Sequence, residues 1–542
     1  MAYEGNAKIA RMVQPESLRG EEFQEWSRGR GEDVWMMFCA AIAGDLETIR
    51  ELVAKDPNLI NCEYQYLTPL RFAVRENRRA VADFLLEKGV NPVYMFGDSL
   101  LTIARDRGYA ELVALFESIL RDKYHIIPEG AIIAAAIKNC DPALALAILE
   151  KQPALLHAAD EQGNQPIHWA VLTRQVDLIN RLLNLGADIH AMRPDGARPI
   201  DLTNGDYFYR SWYRDLPPTG LRKHEVLVGY LMARGAYCDI SVAARIGYYD
   251  RVKELLDQDP NLANRVPSYS GYYSGLPLRV AAGAGYSEIV KLLIERGANP
   301  NEPEQGIAPH GGALHAAISG KHFEIVKMLL VHGANTNAAV ESSGNCLSLA
   351  KHVVASREMT DLIASYGGTL TVELVCYYGE LDTISEMLHS NPQLNLESGI
   401  GYIISEGHQQ CMELILRFQP DILKKFAVKE IRTPEFARWL MERGLDPNSC
   451  DWLGATLLHH AASAGNIELA EVCLEFGAEI NAIDTDFSSS PLGWAARNGK
   501  KEMLEWLLKK GADPELPGDE PWALPIEWAR RRGYEDITRI LL

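Results

Sequence analysis

Nothing in the sequence can build a disulfide framework or a Cys-based zinc site. The nine cysteines, Cys39, Cys62, Cys140, Cys238, Cys346, Cys376, Cys411, Cys450 and Cys473, stand singly, are odd in number and include no C-x-x-C pair. Such usage fits reduced thiols, so a reducing, cytoplasmic setting is expected. A basic track is also missing. The formal charge is −19, and the short run Arg530 to Arg532 does not offset it, which argues against nucleic acid as a partner. Long apolar runs are absent as well. The opening MAYEGNAKIARMVQPESLRG has no apolar stretch after its charges, and no later window approaches the roughly eighteen apolar residues a span requires, so neither secretion nor a membrane is expected. No Walker loop, no G-x-G-x-x-G after a strand, no H-E-x-x-H and no EF-hand spacing occurs, and no cofactor or metal is expected.

What the chain has is one sentence written many times. From Gly312 to Ala338 it reads GALHAAISGKHFEIVKMLLVHGANTNA. Apolar residues at Leu314, Ala317 and Ile318, and again at Ile325, Val326, Leu329 and Leu330, make two amphipathic helix stripes broken at Gly320 and Lys321. Gly333 is placed to stop the second helix in a left-handed conformation. The unit recurs from Leu70, Ile167, Leu278, Leu458 and Leu492, each with a glycine nineteen residues after its leading aliphatic. Such a period predicts a solenoid whose repeats bury their apolar faces only on one another. It predicts about sixteen units in one elongated all-α array over residues 34–542, preceded by a leader or N-terminal cap at 1–33 with Phe23 and Trp26 as its anchors.

Several repeats end differently. DPNLIN, QPALLH, DPNLAN and NPQLNL replace the usual GADxN, with a proline that cannot extend the helix and a leucine that can fold back on it. Near RGAYCDISVAARIG and YGGTLTVELVCYYG no room is left for a projecting loop, so modules of three or four repeats are expected to begin near Met37, Ile132, Ile240 and Val372. Arg530, Arg531, Arg532 and Asp536 are expected to give the last unit the polar face of a terminal cap.

The pattern resembles the ankyrin repeat family, whose T-P-L-H-x-A signature is carried here by Thr68, Pro69 and Leu70, by Pro166, Ile167 and His168, and by Leu314 and His315. The resemblance implies a binding scaffold for proteins or peptides. It also implies that His168, His315 and His459 are structural, with rings bonded to backbone between repeats, rather than catalytic. The string GDSL at Gly97 to Leu100 matches a hydrolase nucleophile block, but it occupies a loop-to-helix junction without the strand or partner blocks such a site needs. Ser99 is read as a helix N-cap.

One departure points to function. From Ile200 to Gly235 the spacing is thirty-five residues instead of nineteen, and the excess, residues 203–222, packs Tyr207, Phe208, Tyr209, Trp212 and Tyr213 among Arg210, Arg214, Asp206 and Asp215. The rings could anchor the insertion or could meet a ligand, tyrosine and tryptophan giving large rigid contact at low entropic cost. The loop at 265–277 adds Tyr269, Tyr272 and Tyr273 among glycine and serine, the composition of an adaptable binding loop, and the next loop adds Glu302, Glu304 and His310. Trp452, Phe487 and Trp522 are read as isolated contacts of projecting loops. Two functions are open: a scaffold recognising a protein, peptide or extended ligand through its concave face and these aromatic loops, or an enzyme or small-ligand site, carbohydrate included, with Asp201, Asp206, Asp215, Glu302, Glu304 or His310 in a pocket under the insertion.

Overall fold

The computed structural model describes the chain apart from residues 1, 2, 4, 94–96, 207, 208, 210–220, 222, 270, 272, 273, 342, 426–430 and 432. Among the described residues the helices group into fifteen pairs, from Gly31–Ala43 with Leu46–Lys55 to Pro525–Arg532 with Glu535–Leu541, and one further helix, Pro434–Met441, marks the thirteenth of sixteen repeats. Each pair has an inner and an outer helix, and most are joined to the next by a projecting loop, or finger. Named strand among these residues is a two-residue hairpin, Ala339–Val340 with Gly344–Asn345, in one finger.

In the unit that opens at Ala313 the inner helix Ala313–Ser319 buries Leu314, Ala317 and Ile318, and the outer helix Phe323–Val331 buries Ile325, Val326, Leu329 and Leu330, the two stripes read from the sequence. Each fully buried leucine or isoleucine contributes about 1.5–3 kcal/mol. Gly333 has φ 80° and closes the outer helix, its amide donating to the Leu330 carbonyl at 3.0 Å. Beyond the glycine runs an asparagine ladder. Asn301 Nδ2 donates to the Gly333 carbonyl of the next repeat (2.8 Å) while its Oδ1 accepts the Asn335 amide (2.7 Å). Asn264 grips Gly297 and Asn299 in the same way, and Asn337 grips Gly367 and Thr369. Four consecutive repeats are thus pinned across three junctions through otherwise orphaned carbonyls at helix ends.

The apolar core falls into three clusters. One runs through the first three repeats to Leu120, a second from Ile133 to Ile363, and a third from Val375 to the last repeat. Both breaks coincide with junctions that lack a finger. At the first, His125 turns left-handed and Ile126 bridges directly to Ala159 before Pro128–Lys138 begins. The fingerless junction before Ile240–Arg245 is different, since the core continues across it. The DPNLIN, QPALLH and DPNLAN endings form short 3₁₀ turns, Pro57–Asn61, Pro153–His157 and Pro260–Asn264, each opening on its proline.

The array is not an open rod. The helix stripe alone predicts an elongated shape, but fingers of the last repeats pack on those of the first. Trp452 joins the first core cluster, 6.0 Å from Phe38 and 5.2 Å from Tyr64 between ring centres, and its indole donates to Gln65 Oε1 at 3.1 Å. Asp486 accepts from Arg71 at 2.7 Å, lies 3.6 Å from Arg75, and lends its carbonyl to Arg107. Burial alone would raise the Asp486 carboxyl, but these three guanidinium groups hold it well below the usual carboxylate range. Arg497 and Arg532 pair with Asp98, and Arg532 and Arg531 with Asp106. Arg531 and Arg532 therefore close the array instead of capping a free end, and Trp522, under Arg107 at 4.2 Å, belongs to the same seam.

The N-terminal segment lies over this junction. Its anchors are Met12 and Leu18, both buried, whereas Phe23 is 69% exposed and Trp26 37%. Lys8 bridges Glu76 of an early repeat (2.8 Å) and Glu520 of a late one (2.6 Å), and the Val13 amide donates to the Trp452 carbonyl.

Two of the three histidines behave as the resemblance implies. His459 Nδ1 accepts the Thr456 amide at 3.1 Å, which places the proton on Nε2, where it meets the Ser489 carbonyl of the next repeat at 3.1 Å. His168 does the same between Gln165 and Ala191. His315 departs from the pattern: its Nε2 makes no hydrogen bond of good geometry. The carbonyl equivalent to Ala191, that of Ala338, faces the Cys346 thiol instead (3.5 Å). Ser99 caps its helix by accepting the Thr102 amide at 3.1 Å. All nine cysteines are unpaired.

This packing sets two expected outcomes. Asp486→Asn leaves Arg71 and Arg75 buried beside a neutral amide; the closure should lose about 3–5 kcal/mol, and small-angle scattering should show a larger radius of gyration. Burial holds His168 and His459 down to about 3, whereas the unfolded chain takes up these protons near 6.5. The unfolded state thus binds more protons below that pH, so this stability is complete above pH 6.5 and falls as pH drops toward 3. Urea midpoints should fall from pH 7 to pH 5, and His459→Gln should lower the pH 7 midpoint, by about 1 kcal/mol in stability, while flattening the fall.

Candidate functional site

A concavity of about 500 Å³ lies along the inner helices of three adjoining repeats. Its floor is made by what those helices lack. Gly283 and Ala284 on Pro277–Ala284, and Ala316, Ser319 and Gly320 at the next inner helix, present almost no side chain to the groove. Arg245, Arg279 and His315 stand at its base. The fingers supply Ile307, Gly312, Val340, Glu341 and Ser343, and the opposite wall holds Asn204, His224 and Glu225, which flank the long insertion. The root of the insertion and the fingers of the following repeats therefore meet at one cavity. Tyr66, from a finger of the second repeat, hydrogen-bonds Glu341 on the rim. Trp26, Arg28 and Glu63 share a neighbouring cavity of about 390 Å³ with Gln305 and Gly306. Closure of the array thus brings N-terminal fingers to its middle.

The arginines at the groove are held rigidly. Arg279 Nε donates to Glu304 Oε1 at 2.6 Å, and Nη2 donates to Glu304 Oε2 and to the Gly271 and Ser274 carbonyls at 2.7–3.0 Å. Gly275 permits this, because a Cβ there would fall 1.9 Å from Arg279 Nη2 and 2.1 Å from Glu304 Oε2. Arg245 donates to the Ile200 and Asp201 carbonyls and to Thr203 Oγ1. Burial holds His315 down to about 4, so it is neutral at pH 7.

Among the described residues, the carboxylates expected for catalysis, Asp201, Asp206, Glu302 and Glu304, do not line this cavity and are committed elsewhere. Asp206 is buried against Arg193 at 2.6 Å. Asp201 pairs with Arg198 at 3.0 Å and caps its own turn. Glu304 has no exposed surface and serves Arg279 and the Leu276 amide. Glu302 accepts from Asn299 Nδ2 at 3.2 Å, and His310 is exposed, 3.8 Å from Glu25. Tyr269, expected at a ligand surface, is 8% exposed and faces Arg193, 5.8 Å from ring centre to guanidinium. A long finger folded back on its own base buries its first aromatic. Tyr209 anchors the insertion, edge-on to Trp169 at 5.5 Å with its amide on Asp206. Tyr207, Trp212, Tyr213, Asp215, Tyr272 and Tyr273 lie outside the described residues. Among the described residues no group of three potential metal ligands occurs, and no helix is long and apolar enough to cross a membrane.

The groove's small residues and its buried arginines escape a search for chemical motifs. Their signal is positional: Arg279 and Arg71 occupy the histidine position of T-P-L-H, and Gly283, Ala284, Ser319 and Gly320 recur one and two places before the left-handed residue that ends each inner helix.

Family models agree with this geometry. Models described as ankyrin repeats match residues 240–340 and 424–517, and others match 37–92 and 162–193. The chain is an ankyrin-repeat protein. Over 176 residues it is 39% identical to palmitoyltransferase ZDHHC13 of Mus musculus, covering 32% of this chain and 28% of that protein. Palmitoyltransferase AKR1 of Lachancea kluyveri is 31% identical over 176 residues, 30% of this chain and 23% of that one. Alpha-latrocrustotoxin-Lt1a of Latrodectus tredecimguttatus is 27% identical over 172 residues, with 30% and 9% covered. The chain spans less than a third of each of these relatives. Ankyrin repeats of this kind indicate a protein-interaction scaffold.

Arg279→Met strands the wholly buried Glu304 and should cost about 3–5 kcal/mol by urea denaturation, whereas Arg279→Met with Glu304→Leu should recover most of the loss.

Proposed function

We propose that this ankyrin-repeat array is a peptide-binding scaffold whose ligand lies along the groove of the seventh to ninth repeats, between the root of the 203–222 insertion and the fingers at 307–312 and 340–343. The observation that carries this reading is the cavity itself. Small residues empty a groove that is walled on both sides and based on two fixed arginines, which is the concave, partly polar shape that accepts an extended segment. The aromatic residues of the insertion and of the 265–277 loop are placed in sequence to close over such a segment, Tyr209 and Tyr269 serving as the anchors that seat them. Catalysis under the insertion has less support, because the oxygens of Asp201, Asp206 and Glu304 are spent on arginines and backbone amides.

Ala284 and Ser319 are exposed on the groove floor, so Ala284→Trp with Ser319→Trp should fill it without touching the core. A peptide selected on the native protein from a random library should bind this variant at least about tenfold more weakly, a loss of about 1.4 kcal/mol, with thermal unfolding unchanged. Undiminished binding would move the site elsewhere.

A further inference from the structure

The groove changes character two repeats further on. The left-handed residue ending each inner helix, Gly285 (φ 84°), Lys321 (60°), Gly379 (63°) and Gly407 (77°), marks one register through the array. One, two and five places before it, the cavity-lining repeats carry Ala284, Gly283 and Val280, then Gly320, Ser319 and Ala316. In the eleventh repeat, on Val372–Tyr378, the same places hold Tyr378, Tyr377 and Leu374; in the twelfth, on Glu397–Glu406, the fifth-back place holds Tyr402. The floor that is empty earlier is here paved with tyrosine. Tyr377 and Tyr402 are 41% and 45% exposed and meet edge-on at 5.6 Å, and Tyr377 is edge-on to Tyr378 at 5.0 Å.

Two further observations indicate what this shelf receives. Glu373 precedes Tyr377 by four places and shares its helix face. It accepts from the Ser398 and Thr371 hydroxyls, which hold its carboxyl below the usual range against the effect of burial, and the Tyr402 phenol is raised by burial first and by the Glu373 charge after it. Its neighbour Glu380 is already matched, by Lys351 and His352, each at 2.6 Å, with His352 stacked on Tyr378 at 3.7 Å. Elsewhere the chain covers its aromatic faces with its own cations: Lys138 over Trp169 at 4.0 Å, Arg443 over Trp439 at 4.1 Å and Arg107 over Trp522 at 4.2 Å. Among the described residues no lysine or arginine lies over Tyr377 or Tyr402. The junctions on either side, near Gly368 and Asn391, carry no finger to overhang them.

We propose that Tyr377, Tyr402 and Glu373 form a receptor for one arginine or lysine side chain of the bound partner. Electron-rich ring faces beside a carboxylate attract a cation, and an exposed pair of this kind gains on the scale of a cation–π contact. The inference rests on the reading of the groove as a peptide site, which it extends by naming the charge the peptide carries.

The test uses the full chain with ¹³C-labelled tyrosine rings, titrated with Nα-acetyl-arginine methylamide and with its neutral isostere, the citrulline derivative. Tyr377→Leu and Tyr402→Leu assign the two resonances. The arginine derivative should shift these two signals saturably and bind at least about fivefold more tightly than the citrulline derivative. Glu373→Gln should remove that preference while leaving citrulline binding as it was. Equal binding of the two probes, a uniform shift of all tyrosines, or no saturable shift would overturn the proposal. The Ala284→Trp/Ser319→Trp protein should keep the arginine response, so the peptide groove and the tyrosine shelf fail or stand separately.

Discussion

A partly buried carboxylate beside two buried arginines is central to the clasp between the first and last repeats. Asp486 sits in a finger of the fifteenth repeat, yet its ion partners are Arg71 and Arg75 of the second. In a repeat array each helix pair buries its apolar face only on its neighbours, so the first and last units have nothing to cover their outer sides. Here the solution is mutual cover. Trp452 enters the first core cluster, and the arginines of the final helix pair reach the carboxylates of the third repeat. The same arrangement carries Tyr66 across to Glu341 and so fixes one rim of the central groove.

One position of the repeat shows how little change this requires. A histidine in the third place of the inner helix reaches the finger of its own repeat boundary and no further, as His168 and His459 do. An arginine at the same place is longer and always charged, and so demands a buried anion. Arg279 finds Glu304 in the adjoining finger, and Arg71 finds Asp486 across the closed array. The backbone plan is unchanged in all these repeats; side-chain length and charge decide whether a repeat holds its neighbour or a distant unit.

The helix pairs, the left-handed glycines, the Ser99 cap and the fingerless junctions near Ile132, Ile240 and Val372 were legible in the sequence, and the bonding of His168 and His459 through the family resemblance, because each is set by residues within one repeat of each other. Closure was not. A contact between residues 415 apart leaves no local period, and Trp452, Phe487 and Trp522 read as ordinary finger residues until their partners are known. The site was legible in part. The long spacing after Ile200 and the following loops do mark the region of the cavity, but composition cannot say which way a ring turns, and Tyr269 turns inward. Nor does it say that a carboxylate is already matched, as Asp206 and Glu304 are. The tyrosine shelf passed unnoticed because its residues are one or two per repeat and become a surface only when the registers of adjoining helices are superposed.

The mutual cover of the ends also changes where such a molecule comes apart. An open solenoid frays from its termini, whose units have one neighbour instead of two. With the termini clasped, the weakest points move inward, to the two joints where the core clusters break and no finger spans the gap, between Leu120 and Ile133 and between Ile363 and Val375. Amide exchange would then begin at these joints, and a strain applied to the groove, which lies between them, would be relieved there before it reached either end.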